Sequence, residues 1–204
     1  DELAADIGFS LDEPYVIVTF HPVTLERATA GEQFAALLEA LDAKGVRTIF
    51  TKANADTDGR VINQMIDEYV TERTERAAGF ISLGLRRYLS ALKHSAAAVG
   101  NSSSGLLEAP TFQIPTVNIG DRQNGRVKAA SVVDCGPTRE AVYRALDTAL
   151  DPGFVRSLQN MEHPYEKTGT SKAVVDVLRD ADMHGILKKR FHDLPAPDVE
   201  EAVS

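Results

Sequence analysis

Apolar residues in this chain fall into short unbroken runs separated by longer stretches with helical spacing. Tyr15-Val16-Ile17-Val18-Thr19-Phe20 is continuous and β-branched, which predicts a strand covered on both faces. From Ala30 to Lys44, Phe34, Leu37, Leu38 and Leu41 recur at intervals of three and four, an amphipathic helix closed by Gly45 as its C-cap. Val46 to Phe50 is the second strand, followed by a loop from Thr51 to Gly59 and an amphipathic helix through Val70. A strand at Gly79 to Ser82 and a helix at Leu85 to His94 lead to the run Ala96-Ala97-Ala98-Val99, the end of a buried strand. Further strands are expected at Thr116 to Ile119 and Ser131 to Asp134. Pro137 suits the first turn of a helix that runs to Leu150. A second helical stretch reaches Asn160, Glu162 to Thr170 is a polar loop, and Ser171 to Phe191 is largely helical with a break near Gly185. Strand and helix alternate about six times, the pattern of an α/β, Rossmann-like, doubly wound parallel sheet of about six strands. Residues 1–14 read as an acidic linker or the end of a preceding helix, 15–192 as one domain, and 193–204 as a disordered acidic tail.

At 204 residues the chain is long enough for one such domain with a full core. Its net charge of −8, from 22 basic and 30 acidic residues, argues against nucleic acid or an anionic membrane as partner. An anion site would then have to be built locally, from N–H groups and a few arginines. The single cysteine, Cys135, excludes an internal disulfide and suits a reducing cytoplasm. No apolar run approaches the ~18 residues of a membrane span, and no signal peptide is visible. The first residue is Asp rather than Met, as expected of a piece of a longer chain.

Motifs for other chemistries fail on inspection. Asn54-Ala-Asp56-Thr-Asp58-Gly59 imitates the opening of a calcium loop, but the twelfth position is Met65 where a bidentate glutamate is required. Calcium is rejected, and Thr57 or Asp58 is expected to cap the following helix. Neither HExxH nor a cysteine–histidine cluster is present, so no transition metal is expected. GxGxxG is missing, as is a lysine after the serine turn, which argues against NAD and ATP; no cofactor is expected.

The stretch from Val99 to Arg126 concentrates the remaining chemistry. Gly100-Asn101-Ser102-Ser103-Ser104-Gly105 is a small polar turn between a strand and a short helical segment, Leu106 to Ala109, stopped by Pro110. That geometry leaves N–H groups unpaired, with the helix dipole behind them, and favours a phosphate. Glu108 lies six residues past Ser102, which is roughly 9 Å along a helix. A diphosphate at the serines would leave a ribose there, and the carboxylate can accept from its vicinal hydroxyls. Arg122 and Arg126 arrive from the next loop as charge-assisted donors. Read alone, the serine turn is equally well an N-cap, and a helical glutamate is ordinarily a solvated surface residue. Asn101-Ser102-Ser103 also matches a glycosylation sequon, discounted for want of any sign of secretion. His21 follows a buried strand at the end that faces the ligand crevice in open parallel sheets. A histidine there either binds a phosphate or donates a proton to a leaving group, or else packs beneath a loop. Phe80 and Tyr88 are explained as well by the core as by a base, and are left out of the candidate set. Arg86-Arg87 reads as solvated surface.

The run GNSSSGLLEAPTFQIPTVNIGDRQNGR, with FHPVT upstream and NADTDGRVINQMIDE between, resembles the hydrolysing UDP-N-acetylglucosamine 2-epimerases. The resemblance extends from about Tyr15 to Phe191 and covers the C-terminal half of that family. It implies the C-terminal half of a GT-B fold, with a UDP-sugar bound against an N-terminal Rossmann-like domain of the same enzyme, and a tendency to dimerise. It implies that His21 contacts the diphosphate and matters for catalysis, and that Asn54 touches the nucleotide sugar. Ser82 and Leu83 would meet uracil through their backbones, Ser102, Ser103, Arg122 and Arg126 would hold the diphosphate, and Glu108 the ribose. The implied reaction eliminates UDP and hydrates the resulting glycal to N-acetylmannosamine, or a diacetamido analogue, for sialic-acid-type sugars. The acidic catalytic residues would belong to the other half, so this segment alone is expected to be inactive. A GT-B glycosyltransferase domain and a stand-alone nucleotide-sugar binding module are the competing readings.

Overall fold

The computed structural model describes residues 2–23, 29–53 and 57–188, the side chains of residues 57 and 58 excepted. The chain divides into two units, Asp1–Glu166 and Lys167–Ser204. The first holds α1 (Glu2–Ile7), β1 (Tyr15–Thr19), α2 (Ala30–Lys44), β2 (Arg47–Thr51), α3 (Thr57–Glu72), β3 (Ala77–Phe80) and α4 (Gly84–His94). It continues with β4 (Ala97–Gly100), α5 (Ser104–Leu107), a 3₁₀ turn at Ala109–Phe112, β5 (Thr116–Ile119), β6 (Val132–Cys135), α6 (Arg139–Ala149) and α7 (Pro152–Ser157). The six strands form one sheet in the order β3-β2-β1-β4-β5-β6, and every pairing is parallel. This is the doubly wound order of a Rossmann-like domain, as expected.

The unbroken apolar run of β1 is explained by its two covered faces. Val16, Val18 and Phe20 pack with Phe34, Leu37 and Leu41 of α2, Ile62 and Ile66 of α3, and Val142 and Leu146 of α6. Tyr15 and Ile17 point the other way, toward Leu83, Ala91 and Leu92 of α4 and Ala109. Alternation along the strand thus feeds two cores, each fully buried leucine or phenylalanine contributing about 1.5–3 kcal/mol. Aromatic rings run through the first core, Phe20 to Phe34 at 5.7 Å, Phe34 to Phe50 at 6.3 Å and Phe50 to Tyr69 at 5.5 Å between centroids. Tyr15 buries its ring in the second and donates to the Ala91 carbonyl over 2.7 Å, so its hydroxyl is not left unpaired.

Several boundaries differ from the sequence reading. β3 ends at Phe80, which moves Ser82 out of the strand and into the loop beyond it. Pro137 does not open α6; Thr138 is the N-cap, its hydroxyl accepting from the Ala141 N–H at 3.3 Å. The Leu106–Ala109 helix is displaced: α5 spans Ser104–Leu107, and Pro110 sits inside the 3₁₀ turn instead of stopping a helix. Residues 2–7, read as linker or helix end, are helical.

In the second unit, α8 (Thr170–Asp180) stops well short of Phe191. The Asp182 carboxylate accepts from the His184 N–H at 2.8 Å, a local bond that competes with continued helix. The expected disordered tail, 193–204, lies outside the described residues.

Candidate nucleotide site

In an open parallel sheet the ligand crevice lies beyond the carboxyl ends of the strands, where the strand order reverses. Here that point is between β1 and β4. Gly100 closes β4 beside Thr19 with φ of 130°. A Cβ on Gly100 would lie 2.0 Å from the Thr19 carbonyl oxygen, so only glycine lets the two strands approach there. The Asn101 N–H then donates to that same carbonyl at 3.2 Å.

A cleft of about 430 Å³ opens at this junction. It is lined by Thr19 and His21 from the end of β1, Thr51 and Lys52 from β2, and the Ile81–Leu85 loop after β3. Tyr88 and Leu89 of α4, the three serines Ser102, Ser103 and Ser104, and Glu108 complete it. Six candidates, His21, Ser82, Leu83, Ser102, Ser103 and Glu108, therefore share one cavity although they are spread over nearly ninety positions of sequence. Asn54 lies outside the described residues.

The serine turn differs from the expectation in its electrostatics. With α5 only four residues long, little aligned dipole stands behind it, and the continuous helix that set the Ser102-to-Glu108 spacing is absent. What remains is backbone. The N–H groups of Ser102 and Ser103 hydrogen-bond to nothing among the described residues, while the Ser102 hydroxyl accepts from the Ser104 N–H at 3.3 Å. Ser103 occupies the N-cap position without making a side-chain cap bond, so the reading of this turn as an ordinary cap does not account for its hydroxyl.

Glu108 is half-buried, and its Oε2 is shut off from solvent without a hydrogen-bond partner among the described residues. A carboxylate oxygen so placed costs about 1–3 kcal/mol until a donor reaches it. Nearby, the half-buried Tyr88 donates its hydroxyl to Ser104 Oγ at 2.6 Å. Burial raises the Tyr88 pKa more than its hydrogen bonds to Ser104 and Thr19 lower it, and the Glu108 charge raises it further. The phenol is thus a neutral donor at ordinary pH. Lys52 is engaged by Asp67 at 2.6 Å.

The two arginines are not equivalent. Arg122 donates to the Asn101 carbonyl at 3.1 Å, which ties it to the serine turn. Arg126 is exposed, its side chain bonds to nothing among the described residues, and it does not line the cleft. The structure brings Arg122 to the junction and leaves Arg126 at its loop.

Sequence reasoning missed the role of Asn101 and set Tyr88 aside as equally a core residue. Asn101 reads in the sequence as one residue of the polar turn and of a glycosylation sequon, yet it is 1% exposed, and both ends of its carboxamide bond the His21 backbone. Tyr88 sits at a helical position shared by core residues, so spacing alone does not single it out. Among the described residues no group of three or more His, Cys, Asp or Glu side chains could hold a metal ion. No helix of the described residues is long and apolar enough to cross a membrane. The arrangement suits an anion met by backbone N–H groups and an arginine, joined to a hydroxyl-bearing moiety near a carboxylate.

Fold and topology together define a Rossmann-like α/β domain of the kind paired in GT-B enzymes. Residues 2–179 match the family model described as UDP-N-acetylglucosamine 2-epimerase, and the chain belongs to that family. It is 40% identical over 134 residues to a GDP/UDP-N,N'-diacetylbacillosamine 2-epimerase (hydrolyzing) of Campylobacter jejuni subsp. jejuni, covering 65% of this chain and 35% of that protein. It is 35% identical over 194 residues to the polysialic acid biosynthesis protein P7 of Escherichia coli, covering 91% of this chain and 48% of the other. The chain thus spans no more than about half the length of these relatives. Solved structures that share its fold include two complexes with UDP. The UDP-GlcNAc 2-epimerase of Methanocaldococcus jannaschii in complex with UDP-GlcNAc and UDP superposes with a TM-score of 0.67 at 13% identity, over 89% of this chain and 49% of that one. The S. aureus MnaA–UDP co-structure gives 0.66 at 16%, over 88% and 47%.

Proposed function

We propose that this chain is the nucleotide-binding half of a hydrolysing 2-epimerase that acts on UDP-N-acetylglucosamine or a diacetamido relative. The observation that carries the reading is the Glu108 oxygen, unpartnered among the described residues, in a cleft also lined by Ser102 and Ser103, whose N–H groups bond nothing among the described residues. A nucleoside diphosphate satisfies both at once, its phosphates on the N–H groups and its ribose hydroxyls donating to Glu108. His21 and Arg122 lie at the same strand junction and complete the charge on the diphosphate, with Arg126 closing from its loop. Ser82 and Leu83 offer backbone groups to uracil, and Asn54 meets the sugar.

The chemistry follows from what such a site stabilises. Loss of the proton at sugar carbon 2 to a base and cleavage of the bond from carbon 1 to the diphosphate oxygen leave a glycal, with the electron pair on departing UDP. Water then adds its hydroxyl to carbon 1, and a proton returns to carbon 2 from the opposite face, giving the free N-acetylmannosamine-type sugar. Donors aimed at the diphosphate lower the barrier to its departure. The base is assigned to a carboxylate of the other Rossmann-like half, as the family resemblance implies; among the described residues no second acidic residue lines this cleft beside Glu108. The names of the relatives, a hydrolysing 2-epimerase and a polysialic acid biosynthesis protein, agree with this product class. We place the enzyme in the cytoplasm, where the lone Cys135 stays reduced.

Calorimetry with UDP and coupled detection of free N-acetylmannosamine test the reading. This chain should bind UDP and release no sugar, and the full-length protein should do both. Absence of UDP binding, or full turnover by this half alone, would overturn it.

A further inference from the structure

We propose that Asn101 is a positioning residue for His21, fixing where the backbone after β1 leaves the sheet and hence where the imidazole meets the ligand. The His21 N–H donates to Asn101 Oδ1 at 2.8 Å, and Asn101 Nδ2 donates to the His21 carbonyl at 2.7 Å. A carboxamide carries an acceptor and a donor side by side, so it can clasp both polar groups of one residue, as no hydroxyl or carboxylate can. The polarity of the two bonds also fixes which way the amide faces. At 1% exposure no water competes for them.

Asn101 is itself anchored through its main chain. Its N–H donates to the Thr19 carbonyl at 3.2 Å. Its carbonyl accepts from Gln123 Nε2 at 2.8 Å and from Arg122 at 3.1 Å. Gln123 is buried at 2% exposure, which makes that link a fixed strut, whereas Arg122 is exposed. Three loops, after β1, β4 and β5, therefore meet on one residue where the strand order reverses. The side chain of Asn101 serves His21 and its backbone serves Arg122, so substituting the side chain separates the two roles.

The functional half of this inference rests on the reading that His21 meets the diphosphate. Its test is a double-mutant cycle in the full-length protein, measuring kcat/KM and UDP affinity for Asn101→Ala, Asn101→Asp, His21→Ala and the two combinations. Asn101→Ala should lower kcat/KM by up to about 100-fold, the effect of misplacing a group by roughly 1 Å. In the His21→Ala background the same substitution should change it by less than about twofold, because the group it positions is gone. Asn101→Asp keeps the acceptor for the His21 N–H but sets an oxygen against the His21 carbonyl, and is expected to lose at least as much. Its direct charge effect on the diphosphate is present in both backgrounds and cancels, so it carries the cycle if the alanine variant does not fold. Hydrogen exchange on the unaltered protein is an independent check, since the His21 amide should be protected with or without UDP. Additive losses, or a His21 amide that exchanges like an exposed one, would overturn the role of Asn101. A His21→Ala variant with full activity would instead overturn the role given to His21, and it is read from a protein in which Asn101 is intact.

Discussion

Tyr88 donates its hydroxyl to Ser104 Oγ over 2.6 Å, tying α4 to the first residue of α5 along one wall of the cleft. The bond needs a neutral phenol, and burial supplies one. Burial likewise pushes Tyr15, which donates to the Ala91 carbonyl, up to about 12. Both pKa values are raised in the folded state above the unfolded value of about 10. The folded protein therefore holds more protons in this window, and stability falls as pH rises. The contribution should be complete below pH about 10 and drain away toward pH 12. Urea midpoints against pH should show this decline, and Tyr88→Phe should make it shallower. A flat profile above pH about 10 would contradict the buried-donor account.

The ribose contact at Glu108 makes the sharpest prediction about ligand chemistry. Glu108→Ala should weaken UDP by about 1.5–3 kcal/mol, the range for hydrogen bonds to charged groups. Pyrophosphate, which has no ribose, should bind no more weakly and gain slightly from removal of a nearby negative charge. 2′-Deoxy-UDP and the substitution delete opposite sides of one contact, so their losses should not add. Calorimetry with the three ligands closes the cycle. An equal loss for pyrophosphate would show that Glu108 only supports the turn between α5 and the 3₁₀ segment.

At the far end of α2, Asp42 collects three donors. Arg73 approaches at 2.8 Å, Arg76 at 2.6 Å and the Tyr69 hydroxyl at 2.9 Å. Burial alone would raise the Asp42 pKa, but hydrogen bonds from Arg73 and Tyr69 and the charges of Arg73 and Arg76 outweigh it, and the value falls below 3.8. A depressed carboxylate contributes stability above its unfolded pKa and loses it as pH drops through the folded one. Asp42→Asn should cost about 2 kcal/mol near neutrality, and the cost should vanish in strong acid. Denaturation curves for wild type and variant at several pH values decide it; a pH-independent difference would point to packing instead of charge.

Cys135, at the end of the edge strand β6, has its thiol pushed up to about 11 by burial and by the neighbouring Asp134 carboxylate. The thiolate is the reactive form. Alkylation by iodoacetamide at neutral pH should thus be slow in the native protein and speed up on unfolding. Rapid native-state labelling would show that the β6 edge opens.

The order of elements and the class of fold were legible in the chain because both arise from local periodicity. The run Tyr15 to Phe20 could only be a strand buried on both faces, and Phe34, Leu37 and Leu41 could only be one face of a helix. The serine turn, His21 and Glu108 stood out in the sequence only in conjunction with the arginine loop and the family resemblance, because each read alone has an ordinary structural use. Element boundaries were less legible. Pro137 and Pro110 suit more than one turn, and which one forms depends on caps such as Thr138 that compete for the same N–H groups.

Contact across the sheet was not legible at all. Nothing in the spacing of Asn101 and His21, eighty residues apart, says that a carboxamide clasps a backbone. Nor does it say that Tyr88 reaches Ser104, or that Arg122 reaches the junction while Arg126 does not. These pairings exist because strand order places β4 beside β1 and β5 beside β4. That order is settled by how the helices bury their apolar faces on either side of the sheet, a property of the whole packed core that no short window of sequence contains.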